Sequence, residues 1–145
     1  VYKETVIKHI ADIPPYLNIG PLGGILTAMS KYPNASWFVL ACDLPFIDEA
    51  ILKQLIDERE SSKDATAYLS SYDNKPEPLC AIYEGHFIIK LLESFHQKVF
   101  CPRKILLNSN AKLIPLNRRD ALDNINDKSE LAATFNKLKK GKCLL

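Results

Sequence analysis

Trp37-Phe-Val-Leu-Ala-Cys-Asp-Leu-Pro-Phe-Ile47 is the stretch whose reading decides the fold. Phe38 to Cys42 is an unbroken apolar run, with Val39 and Leu40 at its centre. It is long enough for a strand buried on both faces and too short for a helix. The run stops on a carboxylate, Asp43, and Pro45 ends strand pairing two residues later. Open α/β sheets bind ligands just past the carboxyl ends of their parallel strands. Mg²⁺ is typically held by one or two carboxylates plus substrate phosphates, so Asp43 is a candidate ligand for a metal–phosphate complex. The other reading of the same residue is a plain turn cap.

The segment upstream, Ile19-Gly20-Pro21-Leu22-Gly23-Gly24-Ile25-Leu26-Thr27-Ala28-Met29, adds weight to the ligand reading. Pro21 fits a helix first turn and Gly20 a cap. Gly23 and Gly24 are poor helix formers, so two of them in a first turn need a reason. Without side chains they let a ligand approach a helix N-terminus, which offers free N–H groups. The alternative is that they only let the helix sit close on the sheet. Neither a Gly-x-Gly-x-x-Gly fingerprint nor a Gly-Lys-Ser/Thr phosphate loop occurs, and the chain has only 5 glycines.

Around these two motifs strands and helices alternate. Thr5 to Ala11 reads as a strand ending at Asp12, itself a turn former or a ligand group, and Pro14, Pro15 and Asn18 force an irregular connection. Asp48 caps a helix to about Glu60 that turns Ile51, Leu52, Leu55 and Ile56 inward. Ala65 to Ser71 and Pro78 to Tyr83 are strands joined by a short polar turn, hence antiparallel. Glu77 at the second strand's start is a turn charge or lines a site. Gly85 to Gln97 is a helix burying Phe87, Ile88, Leu91, Leu92 and Phe95, with His86 and His96 at the surface. Pro102 opens a short helix whose Arg103 and Lys104 meet phosphate or solvent, solvent being the favoured reading, and Lys112 to Leu116 is a strand. Asn124 and Asn126, at alternate positions, point the same way and can read a polar ligand or serve a loop. Asp127 and Glu130 form a variant capping box before a last helix. The pattern predicts one three-layer α/β/α domain, Rossmann-like, with a mostly parallel sheet and one antiparallel strand.

Bulk properties narrow the function. The 145 residues are 47% hydrophobic and 25% charged, with a net charge of +2, too mild for a nucleic-acid surface. The four cysteines form no Cys-x-x-Cys pair; Cys42 and Cys80 lie in apolar runs and read as small core residues of a reduced compartment. No membrane-length apolar run or signal peptide is read, which points to the cytoplasm and to neither membrane nor nucleic acid as partner.

Four segments together resemble the molybdenum cofactor guanylyltransferases, the MobA-like nucleotidyltransferase family: Gly20-Pro-Leu-Gly-Gly24, Cys42-Asp-Leu-Pro45, Pro76-Glu-Pro-Leu-Cys-Ala-Ile-Tyr83 and Asn124-Ile-Asn-Asp-Lys-Ser-Glu-Leu131. The resemblance implies Mg²⁺-dependent transfer of GMP from GTP to molybdopterin, giving molybdopterin guanine dinucleotide and pyrophosphate. By position it makes Asp43 the Mg²⁺ ligand and Asp12 an acidic nucleotide contact. It sets Gly20, Pro21, Leu22, Gly23 and Gly24 against the guanine end, and Asn124 and Asn126 on the acceptor side. Molybdoenzyme clients or other cofactor-biosynthesis proteins are the partners it suggests. The family opens with a strand and a Gly-rich triphosphate loop that this chain lacks, so these residues alone are expected to be inactive. Alternatives are a related cytidylyl- or sugar-phosphate nucleotidyltransferase, and a non-catalytic module of the same fold.

Overall fold

In the computed structural model, residues 8–125 are described. Helix α1 is Pro21–Lys31, strand β1 Trp37–Leu40, helix α2 Glu49–Asp57, strand β2 Ala65–Leu69 and strand β3 Pro76–Tyr83. A 3₁₀ turn, Gly85–Phe87, leads into α3, Ile88–His96; α4, Pro102–Leu107, and β4, Lys112–Pro115, follow. Lys8 to Ala11 carries no strand, which corrects the strand expected over Thr5 to Ala11 as far as the described residues reach. Asn126, the Asp127–Glu130 capping box, the last helix and Cys143 lie outside the described residues.

The strands form one sheet in the order β1-β3-β2-β4. β3 pairs antiparallel with both β1 and β2, and β2 pairs parallel with β4. Three strands therefore run one way and β3 runs against them, as the short polar turn between β2 and β3 requires. The carboxyl ends of β1, β2 and β4 consequently share one end of the sheet.

Each sheet face has its own core. On one face Ala65, Ala67, Ala81 and Tyr83 meet Leu22, Ile25, Leu26 and Met29 of α1, Leu91 of α3, and Ile105 and Leu106 of α4. On the other, Tyr68, Cys80, Ile82 and Ile114 pack with Ile51 and Leu55 of α2 and with Ala121. Alternating side chains on β3 feed both clusters, which is the three-layer arrangement that strand periodicity demands.

Three expectations need correction. β1 is not buried on both faces: Phe38 and Leu40 remain 37% and 45% exposed, because α2 packs chiefly over β2 and β3 rather than over the edge strand. Cys42 is exposed, since the strand ends at Leu40 and the chain turns there; Cys80 is buried as expected. Ile56 on α2 is exposed too, the buried face being narrowed to Ile51 and Leu55.

One irregularity shapes the sheet's open end. Ala67 faces Ala81, but the next residue, Tyr68, faces Glu77 instead of Cys80, so β3 bulges against β2 through Pro78, Leu79 and Cys80. The freed Pro78 carbonyl accepts from the Tyr83 hydroxyl at 2.9 Å, and on the opposite edge Leu79 O accepts from Ala41 N at 2.8 Å. Bulges of this kind re-aim residues beside active sites.

The other end of the sheet is locked by a buried carboxylate. Glu84 is 3% exposed and accepts from Arg59 Nε and Nη2, both at 2.8 Å, and from Ser36 Oγ at 2.6 Å. The Arg59 hydrogen bonds, then Ser36, hold its carboxyl below the usual range. A carboxylate lowered in the folded state contributes stability above its unfolded pKa and loses it as pH falls through the folded one. Glu84→Gln is expected to lower stability at pH 7 by about 2 kcal/mol. The deficit relative to wild type should shrink below roughly pH 4, as urea melts at both pH values would read.

Candidate active site

The first part of the site is the entry to α1. Gly20 has φ 67° and ψ −153°, a backbone state that side chains avoid, and open space surrounds its Cα. The irregular segment before it folds back over the helix, with Tyr16 N donating to Ile13 O at 2.8 Å and Ile13 N to Thr27 Oγ1 at 3.3 Å. A Cβ on Gly23 would collide with the Tyr16 carbonyl oxygen and crowd Asp12 Oδ2 at 3.1 Å and Ile19 Cγ1 at 3.3 Å. A Cβ on Gly24 would meet only Asp12 Oδ1, at an ordinary 3.7 Å. The close approach at Gly23 is thus to the chain's own loop and not, as one reading had it, to the sheet. Gly23 is buried and admits the chain's own loop; Gly24 is exposed beside the Asp12 carboxylate. Leu22 is fully buried in the core, so only its backbone is available to a ligand.

The second part is a cavity of about 430 Å³ at the carboxyl ends of β1 and β2. Asp43 lines it from the turn after β1; the bulge contributes Glu77, Pro78 and Leu79, and Asn124 closes the far side. The turn between β2 and β3 supplies Tyr72 and Asp73, and α4 supplies Arg103. Asp43 and Asn124 are therefore brought together at one cavity. Asp12 and the Gly20–Gly24 segment sit together elsewhere, and none of them lines this cavity.

Four carboxylates ring the cavity, and three are engaged. Arg103 Nη2 donates to Glu77 Oε2 at 2.9 Å and Arg103 Nη1 pairs with Asp73 Oδ2 at 3.5 Å. This corrects the solvated reading of Arg103 and settles Glu77 as a lining residue. The Tyr72 hydroxyl donates to Asp123 Oδ1 at 2.8 Å, which raises the phenol's pKa above its ordinary value. Asp43 is exposed, and its side chain makes no hydrogen bond or ion pair within the described residues. Its backbone is fixed instead: Ile125 N donates to Asp43 O at 3.0 Å. Arg118 braces the same loop, pairing with Asp48 Oδ2 at 2.5 Å and donating to the Phe46 carbonyl. Asp48 also caps α2 through Ile51 N at 3.0 Å, the bond that does most to lower its pKa.

Sequence reasoning missed Tyr72, Asp73, Arg103 and Asp123. They lie in a polar turn, a short helix and a loop, where nothing local separates a lining side chain from a solvated one. Burial pushes the Cys80 thiol up to about 12, which leaves it inert beside the cavity.

The MobA-like NTP transferase domain model matches residues 1–111. The chain belongs to that family. A Flavobacterium johnsoniae protein named "Probable molybdenum cofactor guanylyltransferase" is 31% identical over 134 residues, covering 87% of this chain and 68% of the relative. The "Molybdenum cofactor biosynthesis bifunctional protein" of Synechocystis is 32% identical over 109 residues, 75% of this chain and 31% of its own length. A Clostridium perfringens relative, also a "Probable molybdenum cofactor guanylyltransferase", is 36% identical over 83 residues, 57% of this chain and 39% of its own. The chain thus spans about a third of the length of the latter two. In three dimensions it resembles the crystal structure of molybdopterin-guanine dinucleotide biosynthesis protein A from Archaeoglobus fulgidus. The TM-score is 0.68 at 24% identity, over 83% of this chain and 64% of that one, a likeness of fold. No helix among the described residues is long and apolar enough to cross a membrane.

The contrast within the MobA-like glycine pair is directly testable. Gly23→Ala is expected to destabilise by about 1–3 kcal/mol through overpacking against the Tyr16 backbone. Gly24→Ala, with room for its methyl group, should be neutral or gain up to about 1 kcal/mol of helix propensity. Thermal melts of the two variants read the difference.

Proposed function

We propose that this chain carries the metal carboxylate and acceptor cavity of a guanylyltransferase that moves GMP from GTP to molybdopterin. In this reading an oxygen of the acceptor's phosphate bonds to the α-phosphorus of GTP. The α–β bridging bond breaks, and pyrophosphate leaves with the electron pair. Residues 8–125 act as part of a single nucleotidyltransferase domain, and we assign it to the cytoplasm.

The observation that carries the reading is Asp43. Of the cavity's carboxylates it alone has a side chain free of any partner in the described residues, while its backbone is pinned by Ile125 N. A hard, exposed carboxylate oxygen fits Mg²⁺, an ion that takes most of its ligands from phosphate and water. Among the described residues no cluster of three or more His, Cys, Asp or Glu side chains forms a protein cage, so the ion would share Asp43 with the nucleotide phosphates. When bound, it supplies charge neutralisation at the phosphates. The chain's own residues do the positioning. Arg103, held between Glu77 and Asp73, sets a cation beside the cavity, and the bulge residues Pro78 and Leu79 give it an apolar wall. Asp12 and Gly24, at the start of α1, supply the nucleotide's other contact, with Gly20 and Pro21 shaping the turn. Asn124 faces the acceptor.

Transfer of GMP to molybdopterin by the full-length protein, measured with GTP, CTP and ATP in the presence of Mg²⁺, tests this. GTP should be preferred. Asp43→Asn should lower transfer by at least about 10²-fold with no loss of thermal stability, since the side chain bonds nothing among the described residues. Wild-type rates in that variant would overturn the assignment.

A further inference from the structure

Tyr72 sits at the tip of the turn between β2 and β3 and is 60% exposed. A large aromatic in such a place is ordinarily left to move, since holding it costs side-chain entropy. Here it is held from two sides. Its hydroxyl donates to Asp123 Oδ1 at 2.8 Å, and the Arg119 guanidinium lies over its ring, 4.8 Å from the centroid. Arg119 is itself anchored, its carbonyl accepting from Ser71 Oγ at 3.0 Å. The turn and the segment leading to Asn124 are thereby stitched together through one phenol.

Both Tyr72 and its partner Asp123 line the 430 Å³ cavity that holds Asp43. That volume lies within the range of roughly 300–1,000 Å³ usual for small-molecule sites. The remaining wall is apolar at Leu44, Pro78, Leu79 and Leu122. A fixed, exposed ring beside an apolar wall is suited to the face of a planar heteroaromatic, because offset stacking rewards a rigid partner. Arg119 on the ring adds to the effect by holding the phenol in one plane.

We propose that Tyr72 is the stacking wall for the flat pterin ring of the acceptor, and so a specificity-determining residue. Nothing in the motifs points to it; its contacts do. The inference rests on the guanylyltransferase reading above, which names the acceptor's chemical class.

The test uses the full-length protein and two readouts. Fluorescence quenching of 6-carboxypterin, a pterin without phosphate, reports ring binding without turnover. Steady-state transfer gives KM for molybdopterin and for GTP separately. Tyr72→Leu, which keeps bulk but has no π face, should weaken pterin binding and raise the molybdopterin KM by roughly five- to tenfold. Its GTP KM and kcat should stay at wild-type values, with a small fall in melting temperature from the lost hydroxyl bond to Asp123. Tyr72→Phe, which keeps the ring, should remain within about twofold of wild type on both measures. Equal pterin affinity in Tyr72→Leu and wild type, or no quenching by wild type, overturns the stacking role. The underlying reading fails by a different sign, wild-type transfer in Asp43→Asn, so the two failures are told apart.

Discussion

The Ile125 amide donates to the carbonyl oxygen of Asp43, and the geometry of the site depends on that bond. A carbonyl just past a strand end needs a donor, which an ionised Asp side chain, an acceptor only, cannot supply. Here the amide of a distant segment meets the need. The carboxylate itself has no partner among the described residues and stands at the cavity edge. Arg118 reinforces the arrangement by tying Asp48 and Phe46 to the segment that carries Ile125. The loop after β1 and the 118–125 segment therefore form one rigid rim, although some eighty residues of sequence separate them.

This long-range closure explains what the sequence reveals and what it hides. Strands and helices were legible because their signals are local. The apolar run at Phe38, the Asp48 cap and the inward face of α3 each follow from residues a few places apart. The antiparallel pairing of β2 and β3 followed from the short turn between them. Asp43 and Asn124 were legible as motifs. Their shared cavity was not derivable from spacing, since it depends on the order β1-β3-β2-β4 and on the bulge at Pro78 to Cys80. Arg103 was misread as solvated because its partners, Glu77 and Asp73, belong to another element. The exposure of Phe38 and Leu40 was misread for a related reason: composition marks a strand as apolar but does not say how far a covering helix extends.

The glycines at the start of α1 carry a second lesson in division of labour. Adjacent and chemically identical, they answer to different constraints. Gly23 faces the folded-back loop at Tyr16, where any side chain collides with backbone. Gly24 faces outward beside Asp12, with space to spare. Packing on the sheet and a ligand role were posed as alternatives for the pair, and the structure sets Gly23 against the folded-back loop instead. What is left for a ligand at this helix end is Gly24, the turn at Gly20 and the Asp12 carboxylate.

The charge balance of the cavity then bears on the order of binding. Glu77 and Asp73 are offset by Arg103, and Asp123 is occupied by the Tyr72 hydroxyl, so Asp43 carries the least compensated negative charge on the rim. A nucleotide triphosphate and a phosphorylated acceptor are both anions. Two like charges about 4 Å apart repel by roughly 1 kcal/mol in water and about 4 kcal/mol near a protein surface. An isolated carboxylate would therefore oppose the very substrates proposed for this site. The same carboxylate becomes favourable once a divalent cation accompanies the phosphates, because its attraction to the cation outweighs the repulsion that remains. On the proposed reading, the uncommitted side chain of Asp43 therefore makes the site reject a bare triphosphate and accept the metal-bound form.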